Sequence, residues 1–367
     1  MKKKHIAMFI SSLNKGGSER VLVNLAEYFY SIGYRVTIVT QYRLENEFSV
    51  SEGISRVLSE ITPEEMGRGR ISNFLRRFSK LRRIWKQEKP DLILSFIGKN
   101  NMMALLTSRF LGIPVVVSVR GEPGEEYYSG GLRLAARLLF PLADGMVLQT
   151  EESAGFFPPA VQKKAVILKN SLNPAFLREP YQGEREKRIV AVGRIDANKN
   201  HEMIIRAFAE IAHSYPDFEL TIYGEGELRR FLTGLAGELG LENRIHLPGS
   251  VSDVAEAIYR ASVFVLSSYS EGMPNTLIEA MALGLPAIAT DCPCGGPREL
   301  IRDGFNGFLI RPGSRQELAD TLRKLLDDPR LAGEIGRNAA GIREELCPDV
   351  INRTWKEYLE RIMQGSV

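Results

Sequence analysis

Ser270-Glu271-Gly272-Met273-Pro274-Asn275-Thr276-Leu277-Ile278-Glu279-Ala280 lies just beyond the apolar run Val263-Phe264-Val265-Leu266. A β-branched apolar run, a glycine-bearing polar loop and a proline at a helix start read as strand, turn and helix. That is the repeating unit of a parallel α/β sheet. Pro274 is favoured in a first helical turn. Glu271 then falls in the loop and Glu279 in the helix, about 7 Å further along its axis at roughly 1.5 Å per residue. The backbone of Gly272 to Thr276 lies between them. A helix N-terminus binds phosphate, and carboxylates accept hydrogen bonds from hydroxyls. The stretch therefore suits a ligand with a diphosphate in the middle and hydroxyls at both ends. Spacing alone carries little: Glu19/Glu27, Glu52/Glu60, Glu202/Glu210 and Glu219/Glu227 are also eight apart and read as solvated or local helix contacts. Glu279 differs because it sits in an apolar run, where an unpaired carboxylate is costly.

The same alternation extends in both directions. Arg188–Val192, Glu219–Tyr223, Arg244–Leu247, Val263–Leu266 and Ala287–Thr290 read as strands, with a helix from about Asn200 to His213. Upstream, His5–Ile10, Arg35–Thr40, Leu92–Phe96, Val115–Val119 and Gly145–Gln149 read as strands between amphipathic Arg20–Ser31, Asn73–Gln87 and Asn100–Leu111. Near-continuous apolar strands imply sheets covered on both faces. At 367 residues the chain exceeds the usual limit of one core, so two domains are expected, 1–172 and 173–349. Asn170–Arg185, with Asn173-Pro174 and Pro180, reads as a linker. The last helix, 350–367 with Trp355, Tyr358 and Leu359, is expected to pack back on the first domain.

Composition narrows the function classes. No apolar run approaches the roughly 20 residues of a membrane span. The lysines and short apolar run of Met1–Ile10 end at Ser11, too soon for a signal peptide, so a cytoplasmic protein is expected. Cys292, Cys294 and Cys347 fit a reducing compartment and lack the histidine neighbours of a zinc site. Residues 1–90 hold 17 Lys/Arg against 9 Asp/Glu, whereas the remainder holds 31 against 36. A basic front joined to an acidic remainder suggests an anionic partner for the first domain.

In parallel α/β units ligands bind where strands run into loops at their carboxyl ends. The first such loop contains Gly16-Gly17, which lets backbone approach a ligand but equally makes a plain tight turn. The spacing is not the G-x-G-x-x-G of dinucleotide binding. The matching loop of the second half is Gly193-Arg194-Ile195-Asp196-Ala197-Asn198-Lys199-Asn200. Lys199 near a helix start opposes the macrodipole, and an anion held with Arg194 would relieve that; a solvated lysine is the plainer reading. Gly224 and Gly249 fall in further turns at the same edge.

Gly16-Gly17, Gly193-Arg194 with Lys199, Glu271 through Glu279, and Gly295-Gly296-Pro297-Arg298-Glu299 resemble the signature elements of family 4 retaining glycosyltransferases (glycosyl transferases group 1). The resemblance covers nearly the full chain. It implies the α/β GT-B fold, two Rossmann-like doubly wound domains facing a central cleft, with cleft closure during turnover. It implies a hexosyltransferase using a nucleotide-sugar as co-substrate, with no cofactor and no metal. The sequence has no Asp-x-Asp triplet of the kind that holds a metal in other glycosyltransferases. Glu279 would bind the donor ribose, and Glu271 with the backbone of Gly272, Met273, Pro274 and Asn275 would hold the sugar, Thr276 beside them. Arg194 and Lys199 would neutralise the diphosphate, approached also by Gly16, Gly17 and Gly193, with Gly224 and Gly249 lining the donor site. The family's catalytic loop matches Ser118-Val119-Arg120-Gly121-Glu122-Pro123, which lacks the frequent histidine. Arg120 joins Glu271, Arg194 and Lys199 as the catalytic set. Retention by same-face attack is implied too, and the Cys-Pro-Cys-Gly-Gly-Pro segment resembles members that use UDP-N-acetylhexosamines.

Other readings fit less well. A UDP-sugar epimerase would use the same fold and sites, while a nicotinamide-dependent oxidoreductase would need the absent glycine fingerprint. Two carboxylates could suggest a glycosidase, but Glu279 lies too far along the helix to flank the same bond as Glu271. Residues 68–89 carry nine Lys/Arg among Ile71, Phe74, Leu75, Phe78, Leu81, Ile84 and Trp85. Such a helix can pack its apolar face on the sheet, lie on an anionic membrane, or do both. A glycan or polyprenyl-linked acceptor in cell-envelope polysaccharide synthesis, and peripheral attachment to the inner membrane face, follow as expectations. The basic stretch lacks interleaved surface aromatics, so nucleic acid is not an expected partner.

Overall fold

The computed structural model describes residues 3–67 and 69–365. The chain divides into two compact units, Met1–Asn170 with Asp349–Val367, and Ser171–Pro348.

The first unit holds strands β1 (His5–Ile10), β2 (Arg35–Thr40), β3 (Ser55–Leu58), β4 (Leu92–Phe96), β5 (Val115–Ser118), β6 (Gly145–Leu148) and β7 (Ala165–Ile167). They form one sheet in the order β3-β2-β1-β4-β5-β6-β7, all pairs parallel. Successive residues of β4 serve opposite cores. Leu92, Leu94 and Phe96 meet the helix Gly17–Ser31 and the last helix, Pro348–Met363. Ile93 meets the helices Arg70–Glu88, Gly98–Ser108 and Gly130–Leu139. A strand covered on both faces has no polar side, which is why it reads as a continuous apolar run. The last helix thus belongs to the first unit, with Trp355 stacked on Phe96 at 6.3 Å between ring centres.

The second unit holds β8 (Glu186–Val192), β9 (Glu219–Tyr223), β10 (Ile245–Gly249), β11 (Ala261–Leu266), β12 (Ala287–Thr290) and β13 (Phe308–Ile310), in the order β10-β9-β8-β11-β12-β13. This is the doubly wound 3-2-1-4-5-6 order, and its direction reverses between β8 and β11. Three short strands escaped the sequence reading: β3, β7 and β13. Each lies at or next to a sheet edge, where three or four residues leave little apolar signal.

Of the expected linker Asn170–Arg185, all but its first residue is packed into the second unit. Leu172 N–H donates to Leu346 O at 2.8 Å, and Phe176 is buried. Arg185 donates to the carbonyls of Ala261 and Gly284 at 2.9 and 2.7 Å. Proline and polar residues here shape turns that are held by side-chain anchors.

The basic helix, Arg70–Glu88, packs only in part. Its second half buries Leu81, Ile84 and Trp85. Ile71, Phe74 and Leu75 in the first half remain 79%, 45% and 56% exposed. Arg68, first in the basic stretch, lies outside the described residues. Among the described residues no helix is long and apolar enough to cross a membrane.

Candidate functional site

In the second unit the order reversal opens the loops after β8 and β11 side by side at the carboxyl edge, where such sheets bind ligands. Hydrogen bonds join the two loops. Tyr269 N–H donates to Asn198 O at 2.8 Å, Asn198 Nδ2 to Ser270 O at 3.0 Å, and Ser267 Oγ to Lys199 O at 2.6 Å. At their centre Lys199 Nζ meets Glu271 Oε1 at 2.5 Å, and Ser268 Oγ donates to the same oxygen at 2.6 Å. The Lys199 and Glu271 side chains are only 16% and 12% exposed.

Lys199 sits just before the helix His201–Ile211, against the positive end of its dipole. Glu271 supplies the compensating charge, so the lysine is neither solvated nor stranded. Its stem passes over Gly193, with carbons 3.5 Å from where a Cβ would stand. Arg194 lies apart from this pair. Its side chain is 79% exposed and reaches Asp196 at 3.2 Å.

Beyond Glu271 the chain turns through buried Gly272, Met273 and Pro274 into the helix Asn275–Ala282. Pro274 occupies the cap, one residue before the position expected for it. Asn275 and Thr276 open the helix half-buried, and Glu279 is buried on its inner face at 3% exposure. Glu271 and Glu279 thus bracket the helix start, as their spacing predicts.

Gly224 and Gly249 stand at the ends of β9 and β10. Gly224 has φ +146°, and a Cβ there would fall 1.9 Å from Gly193 O. Gly224 N–H donates to Gly249 O, and Gly193 N–H to Tyr223 O, each at 3.0 Å. These three glycines let the loop backbones stack without intervening side chains.

The loop after β12 braces the site. Thr290 Oγ1 donates to Ser268 O at 2.5 Å, and Glu271 N–H to Pro293 O at 3.4 Å. A Cβ at Gly296 would fall 1.7 Å from Gly272 O. Burial, with Glu271 close by, pushes the Cys292 thiol up to about 12. It is a neutral packing group. Gly296 belongs to a signature element read from sequence, whereas Asn198, Ser267, Ser268 and Thr290 were given no role there. A usable signal existed for Ser267-Ser268, since polar residues directly after a buried strand mark its ligand edge.

In the first unit Gly16 caps the helix Gly17–Ser31, which starts three residues earlier than expected from Arg20. The glycines admit that extra turn at the carboxyl end of β1. Arg120, just past β5, is 7% exposed. Its Nη2 donates to Asn170 Oδ1, which also accepts from Gln149 Nε2 at 2.9 Å, and its guanidinium lies 5.5 Å from the Phe96 ring centre. Burial lowers the guanidinium to about 9, still charged at neutral pH.

The first unit offers a carboxyl edge with a glycine turn and buried Arg120; the second offers, by itself, glycine turns, part-buried Lys199 and bracketed carboxylates at a helix start. That combination can hold a phosphate-bearing ligand with hydroxyls at either end. Comparison with known proteins agrees. A model described as Glycosyl transferases group 1 matches residues 175–341, and one described as Glycosyltransferase Family 4 matches residues 15–151. The chain is 26% identical over 98% of its length, and 98% of the relative's, to the GalNAc-α-(1→4)-GalNAc-α-(1→3)-diNAcBac-PP-undecaprenol α-1,4-N-acetyl-D-galactosaminyltransferase of Campylobacter jejuni. A second Campylobacter jejuni protein, an N-acetylgalactosamine-N,N'-diacetylbacillosaminyl-diphospho-undecaprenol 4-α-N-acetylgalactosaminyltransferase, is 28% identical over 89% of this chain and 91% of its own. Among solved structures, Anabaena HepE in complex with UDP superposes with a TM-score of 0.82 at 20% identity, over 97% of this chain and 99% of that one. Matched in both halves by models of one family and alike in fold nearly end to end, the chain belongs to the family 4 glycosyltransferases, enzymes of the GT-B fold.

Proposed function

We propose that this transferase moves a hexose or N-acetylhexosamine from a UDP-sugar to a glycan or polyprenyl-linked acceptor in cell-envelope polysaccharide synthesis, with retention and without a metal. The observation that carries the reading is the part-buried Lys199–Glu271 pair beside the helix start, with buried Glu279 a helical step beyond. In this reading the ribose hydroxyls hydrogen-bond Glu279. The diphosphate takes Lys199, Arg194 and the helix amides, while Glu271, released from Lys199, accepts from the sugar hydroxyls with the backbone of Gly272 to Asn275. As the bond from the anomeric carbon to the diphosphate oxygen breaks, charge grows on the leaving group, where fixed cations and dipoles stabilise it most. The acceptor oxygen bonds the same face of that carbon, and its proton passes to the departing phosphate. Arg120 adds a buried positive charge on the acceptor-binding unit. The two relatives from Campylobacter jejuni, named for diphospho-undecaprenol acceptors, support the acceptor class.

A nicotinamide-dependent oxidoreductase would answer differently in one experiment. Thermal stability is measured against UDP-sugars, GDP-mannose, ADP-glucose and NAD. A UDP-sugar at about a hundred times its dissociation constant should add roughly 2.7 kcal/mol. Glu279→Ala should remove that gain. Stabilisation by NAD alone, or by none of them, sinks the reading.

A second part of the proposal concerns place: a cytoplasmic enzyme held at the inner membrane face. It is motivated by exposed Ile71, Phe74 and Leu75 on a helix with seven Lys/Arg between Arg70 and Glu88, and by exposed Leu134 and Leu138 on the helix Gly130–Leu139. Exposed apolar groups among cations suit an anionic lipid surface. The protein should float with vesicles containing anionic lipid at moderate salt, and Ile71→Glu with Leu75→Glu should release it. Absence of flotation removes this part.

A further inference from the structure

Among the described residues, five non-glycine residues have positive φ, and Ile97 is the β-branched one among them, at φ 70° and ψ 129°. That conformation is a genuine outlier for such a side chain, with a cost of about 1–3 kcal/mol. It falls where β4 passes into the helix Gly98–Ser108, on the far side of the order reversal from β1. Four hydrogen bonds hold the turn. Ile97 N–H donates to Ser118 O at 3.1 Å, the amides of Asn100 and Asn101 donate to Ile97 O at 3.1 and 3.3 Å, and Asn101 Nδ2 donates to Ser118 O at 2.9 Å.

One side chain then ties this turn to the next. Glu126 Oε2 accepts from Gly98 N–H at 2.9 Å, and Oε1 accepts from Gly121 N–H at 3.0 Å and Arg120 N–H at 3.3 Å. A single carboxylate thus spans the turns after β4 and β5 at the ligand edge of the sheet. Burial raises its carboxyl above the usual range, opposed by these backbone amides. The guanidinium of Arg120 bonds Asn170 instead, and its Nε and Nη1 have no partner among the described residues. A neutral Asn or Ser could brace one turn with less desolvation. Only a two-oxygen acceptor braces both, and it does so next to a strained strand end and an incompletely satisfied cation.

The geometry points to Glu126 as a positioning residue for the transfer reaction: its carboxylate holds the Ile97–Gly98 and Arg120–Gly121 turns in the register that presents this edge to the acceptor. This rests on the reading of the first unit as the acceptor-binding half. In that reading the ribose, sugar and diphosphate side-chain contacts lie in the second unit and only Gly16 and Gly17 of the first approach the donor, so a positioning role at Glu126 separates turnover from donor affinity.

The test compares Glu126→Ala and Glu126→Gln with wild type, using UDP-N-acetylgalactosamine and polyprenyl-diphosphate-linked N-acetylgalactosamine. Kinetics are corrected for folded fraction. Glu126→Ala should lower kcat/KM for the acceptor about 10- to 100-fold, the scale of a misplaced edge. UDP affinity should stay within about twofold, as for a distant site. Glu126→Gln should fall between, because its one oxygen braces one turn while its amide nitrogen faces a donor. Unchanged acceptor kinetics in both variants, with only a lower Tm, overturns the assignment. Should Glu126→Ala not fold, the same two readouts on Glu126→Gln decide. Wild-type enzyme that transfers nothing to this acceptor counts against the acceptor class instead. The clamp is then read by amide exchange: Gly98, Arg120 and Gly121 should lose protection in Glu126→Gln, and unchanged protection overturns it.

Discussion

Lys199 holds a position that its own helix disfavours, and the charge of Glu271 keeps it there. Two residues further on, His201 shows the electrical cost of that neighbourhood. Burial, and then the Lys199 charge, lower its imidazole to about 4, and its Nδ1 has no partner among the described residues. The folded protein therefore binds fewer protons than the unfolded chain between about pH 6.5 and pH 4. Stability is full above that window and is lost as the pH falls through it. Urea unfolding should lose up to about 3 kcal/mol over this range from His201. His201→Gln should flatten that part of the profile, and an unaltered profile would show that the imidazole titrates normally. Glu47, lowered to about 2 chiefly by its hydrogen bond to Arg56, acts lower, with its loss falling between about pH 4.5 and pH 2. The Lys199–Glu271 bond itself could not be read from sequence. The spacing placed both groups at one sheet edge, but a lysine's long stem reaches many partners, and only the fixed loops choose among them.

The elements of the second unit are joined by backbone contacts, and glycine is what permits them. Gly224 combines a φ that side chains rarely adopt with a carbonyl 1.9 Å from any added Cβ. Gly224→Ala should therefore destabilise the second unit by about 1–3 kcal/mol and push the loop carrying Arg194 and Lys199 aside. UDP titration by calorimetry should show weakened binding beyond the lost folded fraction. Unaltered affinity would mean that the loop absorbs the change. From sequence this glycine was placed in a turn lining the donor site, but nothing local reveals that Gly193 lies beneath it. Central strands were legible for the opposite reason: β1, β2, β4 and β9 are buried along nearly their whole length and rich in apolar residues since both faces are covered, and their bounds matched. The edge strands β3, β7 and β13 run only three or four residues, too short to carry that signal.

At the scale of the molecule the chain returns to its start. Trp355, Tyr358, Leu359 and Ile362 of the last helix complete the core beneath Ile6, Met8 and Ile10. Trp355→Ala should cost the first unit about 3–5 kcal/mol, as for a large core aromatic. UDP affinity, carried in our proposal by the second unit, should stay within about twofold. A matching loss of affinity would show that the last helix also shapes the donor site. That helix was legible as amphipathic, its apolar face required a core, and the expectation that it packs back on the first unit matches where Trp355, Tyr358 and Leu359 lie. Sequence by itself determined the two parallel α/β layers, the placement of glycines and charges at strand ends, and the bracket of Glu271 and Glu279. Those features follow from periodicity and from local helix geometry, which reach only a few residues. Tertiary structure alone decided which cation meets Glu271, how Gly224 passes Gly193, where Arg120 finds Asn170, and how one carboxylate at Glu126 spans two turns. Each joins segments far apart in the chain, and their partners are selected by packing that no local pattern encodes.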